Sequence, residues 1–272
     1  VLKRGGSLYY EKQLKLLTGQ IYFEKQEYKK ALPLLEDYVN STPKVTKEVL
    51  YELSFCYYKD GKFEKAIEGF KQLSSQKDSM GQNSMYLLGD LYLRTNQKAN
   101  ARNAFQYSAY NSSNAVQQKV SRFNYAKLSY ELGYQDIALN EMKSYLKDYP
   151  NSEYDVEAKE ILVNLLTNTN NFRDALALYE SFSKPTVSMQ KAYPRILYGR
   201  AIELINDQQI IQADELLNKI LANQMSGNII PYANFWKGEI AYRMQRYDEA
   251  IRFLNIYISS NAAAQGEATP AA

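Results

Sequence analysis

Residues 88–105 read LGDLYLRTNQKANARNAF, and this stretch decides the fold. Gly89 is small, and Tyr92 follows it by three residues, less than one helical turn. Thr95-Asn96-Gln97-Lys98 is a polar break, Ala101 stands twelve residues after Gly89, and Phe105 comes four after Ala101. Two apolar patterns of helical period, joined by a short turn, predict a helical hairpin. The same hairpin recurs along the chain. Its alanine column is Ala31, Ala66, Ala101, Ala138, Ala175, Ala213 and Ala250, with spacings of 35, 35, 37, 37, 38 and 37 residues. Four residues after each alanine stands a large apolar residue: Leu35, Phe70, Phe105, Met142, Tyr179, Leu217 and Leu254. Twelve residues before each alanine stands a mostly small one: Gly19, Ser54, Gly89, Ala126, Val163, Ala201 and Gly238. A small residue lets two helix backbones approach, and the large residue of the facing helix fills the space.

One hairpin cannot cover its own apolar faces, so stacked copies must share a core. No alternation of period two points to a strand. The spacing therefore predicts an all-α, right-handed α-solenoid of about seven helix-turn-helix repeats over residues 1–258, with units near 12–45, 47–80, 82–115, 119–152, 156–189, 194–227 and 231–259. Breaks between units are expected at Ser41-Thr42-Pro43, Tyr149-Pro150-Asn151-Ser152 and Ile230-Pro231, because proline suits the start of a following helix. Residues 259–272, SSNAAAQGEATPAA, read as a flexible tail.

Composition narrows the function. The 272 residues hold 33 Lys and Arg against 30 Asp and Glu, a net charge of +3, so no strong nucleic-acid or membrane field is expected. Histidine is absent, which excludes His-based catalysis and His metal ligands. The single cysteine, Cys56, excludes an intrachain disulfide and multi-cysteine metal sites, and it reads as a buried small apolar residue. No apolar run reaches the roughly 18 residues that span a bilayer. The acid pairs Glu36-Asp37, Asp214-Glu215 and Asp248-Glu249 are adjacent on helices, so their side chains diverge by about 100° and cannot face one substrate. There is no glycine-rich phosphate loop. The expectation is a non-enzymatic chain without cofactor, metal or nucleic-acid partner.

The offsets of Leu88-Gly89, Tyr92, Ala101 and Phe105, with Pro43 closing the first unit, resemble the tetratricopeptide repeat (TPR) family over roughly Gln13 to Ser259. Units five and six depart from its pattern, lacking the small-then-aromatic pair. The junction Tyr145-Leu146-Lys147-Asp148-Tyr149-Pro150-Asn151-Ser152, followed by Tyr154 and Ala158, is similar to junctions in bacterial cell-envelope TPR proteins of the outer-membrane barrel-assembly lipoprotein and Tol-Pal-associated type. That resemblance implies a periplasmic or cell-envelope location; the cytoplasm is the alternative, since a free thiol fits both.

In the family, the first helix of each unit lines the inner wall. Three residues before the small column stand Leu16, Tyr51, Tyr86, Phe123, Glu160, Tyr198 and Phe235; four after it stand Phe23, Tyr58, Leu93, Tyr130, Thr167, Ile205 and Tyr242. Nine of these fourteen are Tyr or Phe, in a chain with 25 Tyr and 10 Phe. The two sets lie two turns apart on one helical face. The expected ligand-binding residues are Tyr51, Tyr58, Tyr86, Phe123, Tyr130, Tyr198, Phe235 and Tyr242, forming an aromatic groove for a protein segment. Packing of the same rings into the core is the competing reading. The nearby charges Glu48, Lys59, Asp90, Arg94, Lys127, Glu131, Glu239 and Arg243 alternate in sign, which argues against a Lys/Arg/Asn clamp for a C-terminal carboxylate. Two alternatives to the peptide groove are self-assembly through an uncapped last repeat, at Leu254, Tyr257 and Ile258, and glycan binding on the tyrosine stripe.

Overall fold

The computed structural model describes residues 10–75 and 78–260, so most of the expected tail lies outside the described residues. Fourteen α-helices follow in order, and no strand occurs among the described residues. The first helices of the seven hairpins are α1 (Glu11–Glu24), α3 (Lys47–Lys59), α5 (Ser79–Arg94), α7 (Ala115–Glu131), α9 (Asp155–Asn168), α11 (Val187–Asn206) and α13 (Ile230–Arg243). The second helices are α2 (Tyr28–Asn40), α4 (Phe63–Leu73), α6 (Lys98–Ala109), α8 (Gln135–Asp148), α10 (Phe172–Glu180), α12 (Ile210–Ala222) and α14 (Tyr247–Ile258). The chain divides into two compact units, Val1–Tyr149 with α1 to α8 and Pro150–Ala272 with α9 to α14, and the division falls at the Tyr149-Pro150 junction.

The repeat columns are the hairpin contacts. Every alanine of the column is buried. A methyl group on Gly89 would stand 2.6 Å from the Phe105 ring, and one on Gly238 2.6 Å from Leu254 Cγ. One on Gly19 would stand 3.0 Å from Leu35 Cδ2. Small and large residues therefore interlock as the spacing predicts. Cys56 is buried, and burial pushes its thiol up to about 12.

Each hairpin turns in the same way. Seven residues after the small column, Gln26, Gly61, Asn96, Gly133, Asn170, Gln208 and Gln245 all take the left-handed conformation, with φ between 55° and 83°. The next residue's N–H then reaches back to a carbonyl of the first helix, for example Gln97 N to Tyr92 O at 2.7 Å and Arg246 N to Ala241 O at 2.9 Å. This is the Schellman closure, which satisfies the last carbonyls of the helix. The first helices start differently: Thr46, Asp78, Asn114 and Thr186 each accept a backbone N–H through the side chain and cap α3, α5, α7 and α11.

Two prolines depart from the expectation that proline marks boundaries. Pro33 lies inside α2 and Pro194 inside α11. Unit six was expected to start at residue 194, yet α11 begins at Val187, within the span assigned to unit five. The Thr186 side chain accepts from Met189 N at 3.3 Å and starts the helix early, and Pro194 is buried within it.

Candidate functional site

In the first unit, polar contacts tie each first helix to the next across the repeat. Gln20 Nε2 of α1 donates to both carboxylate oxygens of Glu52 on α3, each at 3.1 Å. Tyr58 Oη of α3 donates to Asp90 Oδ2 of α5 at 2.8 Å. Asn83 Nδ2 of α5 donates to the Tyr51 hydroxyl, and Gln117 Nε2 of α7 donates to Asn83 Oδ1 at 2.7 Å. This amide relay borders a cavity of about 270 Å³ whose lining also includes Met80 and Asn114. Gln117 Oε1 is buried there without a hydrogen-bond partner.

Below the relay lies an aromatic cluster that the stripe marked only in part. Phe55 is its centre. Its ring stacks on Tyr51 at 6.1 Å, meets Phe23 and Tyr28 edge-on at 5.8 and 5.3 Å, and lies 5.9 Å from Tyr58. Lys59 Nζ stands 5.2 Å from the Phe55 ring centre, 5.6 Å from Tyr58 and 5.8 Å from Tyr28, so the cation caps three ring faces. Lys59 makes no ion pair among the described residues. Phe55, Tyr51 and Tyr58 are all half-buried. The sequence did hold a signal for Phe55: it follows Tyr51 by four residues and precedes Tyr58 by three, the spacing that puts three rings on one face.

Burial raises the Tyr51 phenol to about 12, and burial together with the Asp90 carboxylate raises that of Tyr58. Arg94 Nε sits 2.6 Å from Asp90, which holds the guanidinium charged. Burial raises the Glu52 carboxyl, against the lowering effect of the Gln20 amide. None of these groups is arranged as an acid–base pair around a free cavity.

The remaining expected residues are unequal. Tyr86 is half-buried, its ring edge-on to Phe105 at 6.3 Å, so it belongs partly to its own hairpin. Tyr130 is half-buried, and its hydroxyl has no partner among the described residues. Phe123 is a correction. It is 2% exposed and packs 5.6 Å from the wholly buried Tyr145 of α8, so it faces the hairpin core and offers no surface to a ligand. In the second unit, Tyr198 accepts a hydrogen bond from Trp236 Nε1 at 3.2 Å, and burial raises its phenol to about 12. Phe235 is half-buried between Trp236 and Tyr257, at 5.3 and 5.2 Å. Tyr242 is 60% exposed and leans on Tyr247. The structure thus gathers Tyr51 and Tyr58 in one cluster and Tyr198 and Phe235 in another, both joined by residues outside the stripe.

Several charges near the stripe are engaged in ion pairs. Arg94 pairs with Asp90 and Arg243 with Glu239, but Glu131 accepts from Lys98 of α6. Where the stripe is interrupted, at Glu160 and Thr167, α9 and α11 bring Lys191 and Arg195 beside Asn164 and Asn168. Sequence reasoning missed this grouping, because Lys191 and Arg195 fall ten and six residues before the small column of their unit.

Two family models described as tetratricopeptide repeat match residues 56–116 and 232–262. No curated protein matches the chain. Among solved structures, Naa15/Naa10 bound to HypK-THB aligns with a TM-score of 0.53 at 15% identity, over 91% of this chain and 36% of that one. YrrB, described as a TPR protein with an unusual peptide-binding site, aligns with a TM-score of 0.49 at 14% identity, over 68% of this chain and 90% of that one. A tetratricopeptide repeat protein from Parabacteroides merdae aligns at 0.41 and 17% identity, over 84% of each chain. The chain spans about a third of the length of the first of these. The likeness to the first of these, with the fourteen helices described above, shows an all-α helical repeat fold. Tetratricopeptide repeats generally mediate protein–protein interaction, and their fold is typically a non-enzymatic scaffold.

Proposed function

We propose that this chain is a non-enzymatic scaffold that binds a protein segment along its wall of first helices, with the Tyr51–Phe55–Tyr58 face as the principal contact. The observation that carries the reading is the Lys59-capped cluster around Phe55: five aromatic rings in mutual contact, left half-buried at the surface rather than enclosed. Tyrosines and a cation of this kind give a flat apolar surface with polar edges at small entropic cost. Tyr130 adds a hydroxyl without a partner.

The test is selection of peptides from a displayed library on the intact chain, followed by binding to the Phe55→Ala and Tyr58→Ala variants. Loss of about 2 kcal/mol per ring is expected, with unchanged helical circular dichroism. Equal binding by both variants sinks the reading. The same proposal puts the chain in a bacterial cell envelope, supported by the junction at residues 145–152; fractionation of source cells tests it. A second reading, self-association through α14, is favoured by the exposed Ile251 and Ile258, seven residues apart on one helical face. It requires the mass in light scattering to rise with concentration.

A further inference from the structure

A cavity of about 760 Å³ opens beside α6 in the unit Val1–Tyr149, bordered by Met85 of α5, one side of α6 and the connection that follows it. Amides, hydroxyls, two tyrosines and one methionine line it, and none of its lining residues is charged. The cavity of about 270 Å³ described above shares Ser113 with it and is likewise lined without a charge. Cavities elsewhere differ: Lys191 and Arg195 face one, and Glu27, Lys29 and Lys30 border another. In a chain of which 23% is charged, two adjoining uncharged cavities point to a ligand without charge. An ion taken from water would find no counter-charge there.

The aromatic part of the lining is exposed and fixed. Tyr110 is 63% exposed, yet its hydroxyl donates to Glu141 Oε1 and its ring meets the buried Tyr125 edge-on at 6.2 Å. Tyr125 in turn lies 4.9 Å from the buried Arg102 guanidinium. A ring held at its tip and at its edge is a flat apolar surface whose ordering cost has already been met. Tyr107, three residues earlier and on the same side of α6, lines the same cavity. Neither ring belongs to the stripe of the first helices.

The polar part is free. Asn103 Nδ2 and the hydroxyls of Ser112 and Ser113 make no hydrogen bond among the described residues. The amide nitrogen donates, and the hydroxyls both donate and accept. A purely apolar ligand would leave these groups unpaired. A pyranose ring meets both halves of the lining, with a C–H face for an aromatic ring and a rim of hydroxyls that donate and accept. The volume lies within the roughly 300–1,000 Å³ of small-molecule sites, which suits a short oligosaccharide.

We propose that this cavity binds a neutral oligosaccharide, with one pyranose ring stacked on Tyr110 and its hydroxyls bonded to Asn103 and Ser112. No residue of the Tyr51–Phe55–Tyr58 face lines the cavity, so the inference does not depend on the protein-segment reading. The probes are cellotetraose, laminaritetraose and maltotetraose, neutral glucose tetramers that differ in linkage. Tetragalacturonate is the acidic counterpart, and all four are titrated calorimetrically into the full chain.

At least one neutral tetramer is expected to bind, more tightly than tetragalacturonate and without loss in added salt. Tyr110→Ala should weaken it about tenfold, whereas Tyr110→Phe keeps the ring and should stay within about twofold of the parent. The Asn103→Ala/Ser112→Ala double variant should weaken it about fivefold. Both of its side chains are exposed, so the fold should persist, and an unchanged melting curve checks this. Tyr247→Ala removes a ring of similar exposure, 56%, from the other unit and should bind like the parent. Absence of binding by all three neutral tetramers overturns the proposal, as does tighter binding of tetragalacturonate. So does affinity that is unchanged in both Tyr110→Ala and the double variant, or that falls equally in Tyr247→Ala.

Discussion

Gly89 shows how much one hydrogen atom decides. Alanine favours a helix over glycine by about 1 kcal/mol. At Gly89 the added methyl would meet the buried Phe105 ring at 2.6 Å, and overpacking of that kind costs about 1–3 kcal/mol. Gly89→Ala is therefore expected to lower stability by about 1 kcal/mol net, whereas Gly19→Ala, with 3.0 Å to a flexible Leu35 methyl, should cost less; chemical denaturation of both variants ranks them. Glu52 gives a pH-dependent case. Its folded carboxyl is raised by burial, so the folded state holds the proton longer than the unfolded one. Its contribution to stability is full below the ordinary carboxyl value and is lost as pH rises through the folded value. Glu52→Gln should match the parent near pH 4 and become more stable than it as pH rises towards 7, read from melting temperatures across that range. At this scale the sequence was legible where geometry is imposed by spacing alone, as at Gly89 and Phe105. It was less so for ring orientation. Phe123 and Phe55 both lie on first helices, but only tertiary contacts decide that one turns to Tyr145 and the other stays at the surface.

Among the elements, the connection from α6 to α7 gathers several of its backbone groups on one side chain. The buried Gln82 amide donates to the carbonyls of Ser108, Asn111 and Asn114 at 3.2, 2.7 and 3.0 Å, and its oxygen accepts from Asn114 N at 2.6 Å. Replacing Gln82 by alanine strands several buried backbone groups and is expected to cost about 2–4 kcal/mol. Hydrogen exchange should rise first in residues 108–114. The helix α10 is the shortest, nine residues, and within it only Ala175 is fully buried. Local opening with amide protection below that of α12 is expected there, measurable by exchange mass spectrometry. The number and pairing of helices were legible from the columns, because each column marks a contact inside one hairpin. The start of α11 was not. Thr186 caps the helix at a position the periodicity does not mark, and Pro194, near the expected start of unit six, lies buried within the helix.

For the molecule as a whole, each helix packs chiefly on its sequence neighbours, so stability is close to a sum of local terms. Gly238→Ala, which drives a methyl towards Leu254, should reduce protection in α13 and α14 while leaving α1 to α4 as in the parent. A uniform loss of protection would contradict this additive picture. The repeat architecture was readable in one sequence because a linear array repeats its constraints, whereas a group of single, non-repeated residues, such as Lys191 and Arg195, leaves no periodic trace. The left-handed turn column bears on how such a chain tolerates change in length. From each small residue to its turn the distance is always seven residues, and to its alanine always twelve, although whole repeats vary from 35 to 38. Within this chain the differences in repeat length therefore fall between the alanine and the next repeat, outside the hairpin turn. An epitope tag or reporter module grafted between the exposed Ser183 and Lys184 falls in the stretch where the repeats of this chain already differ in length.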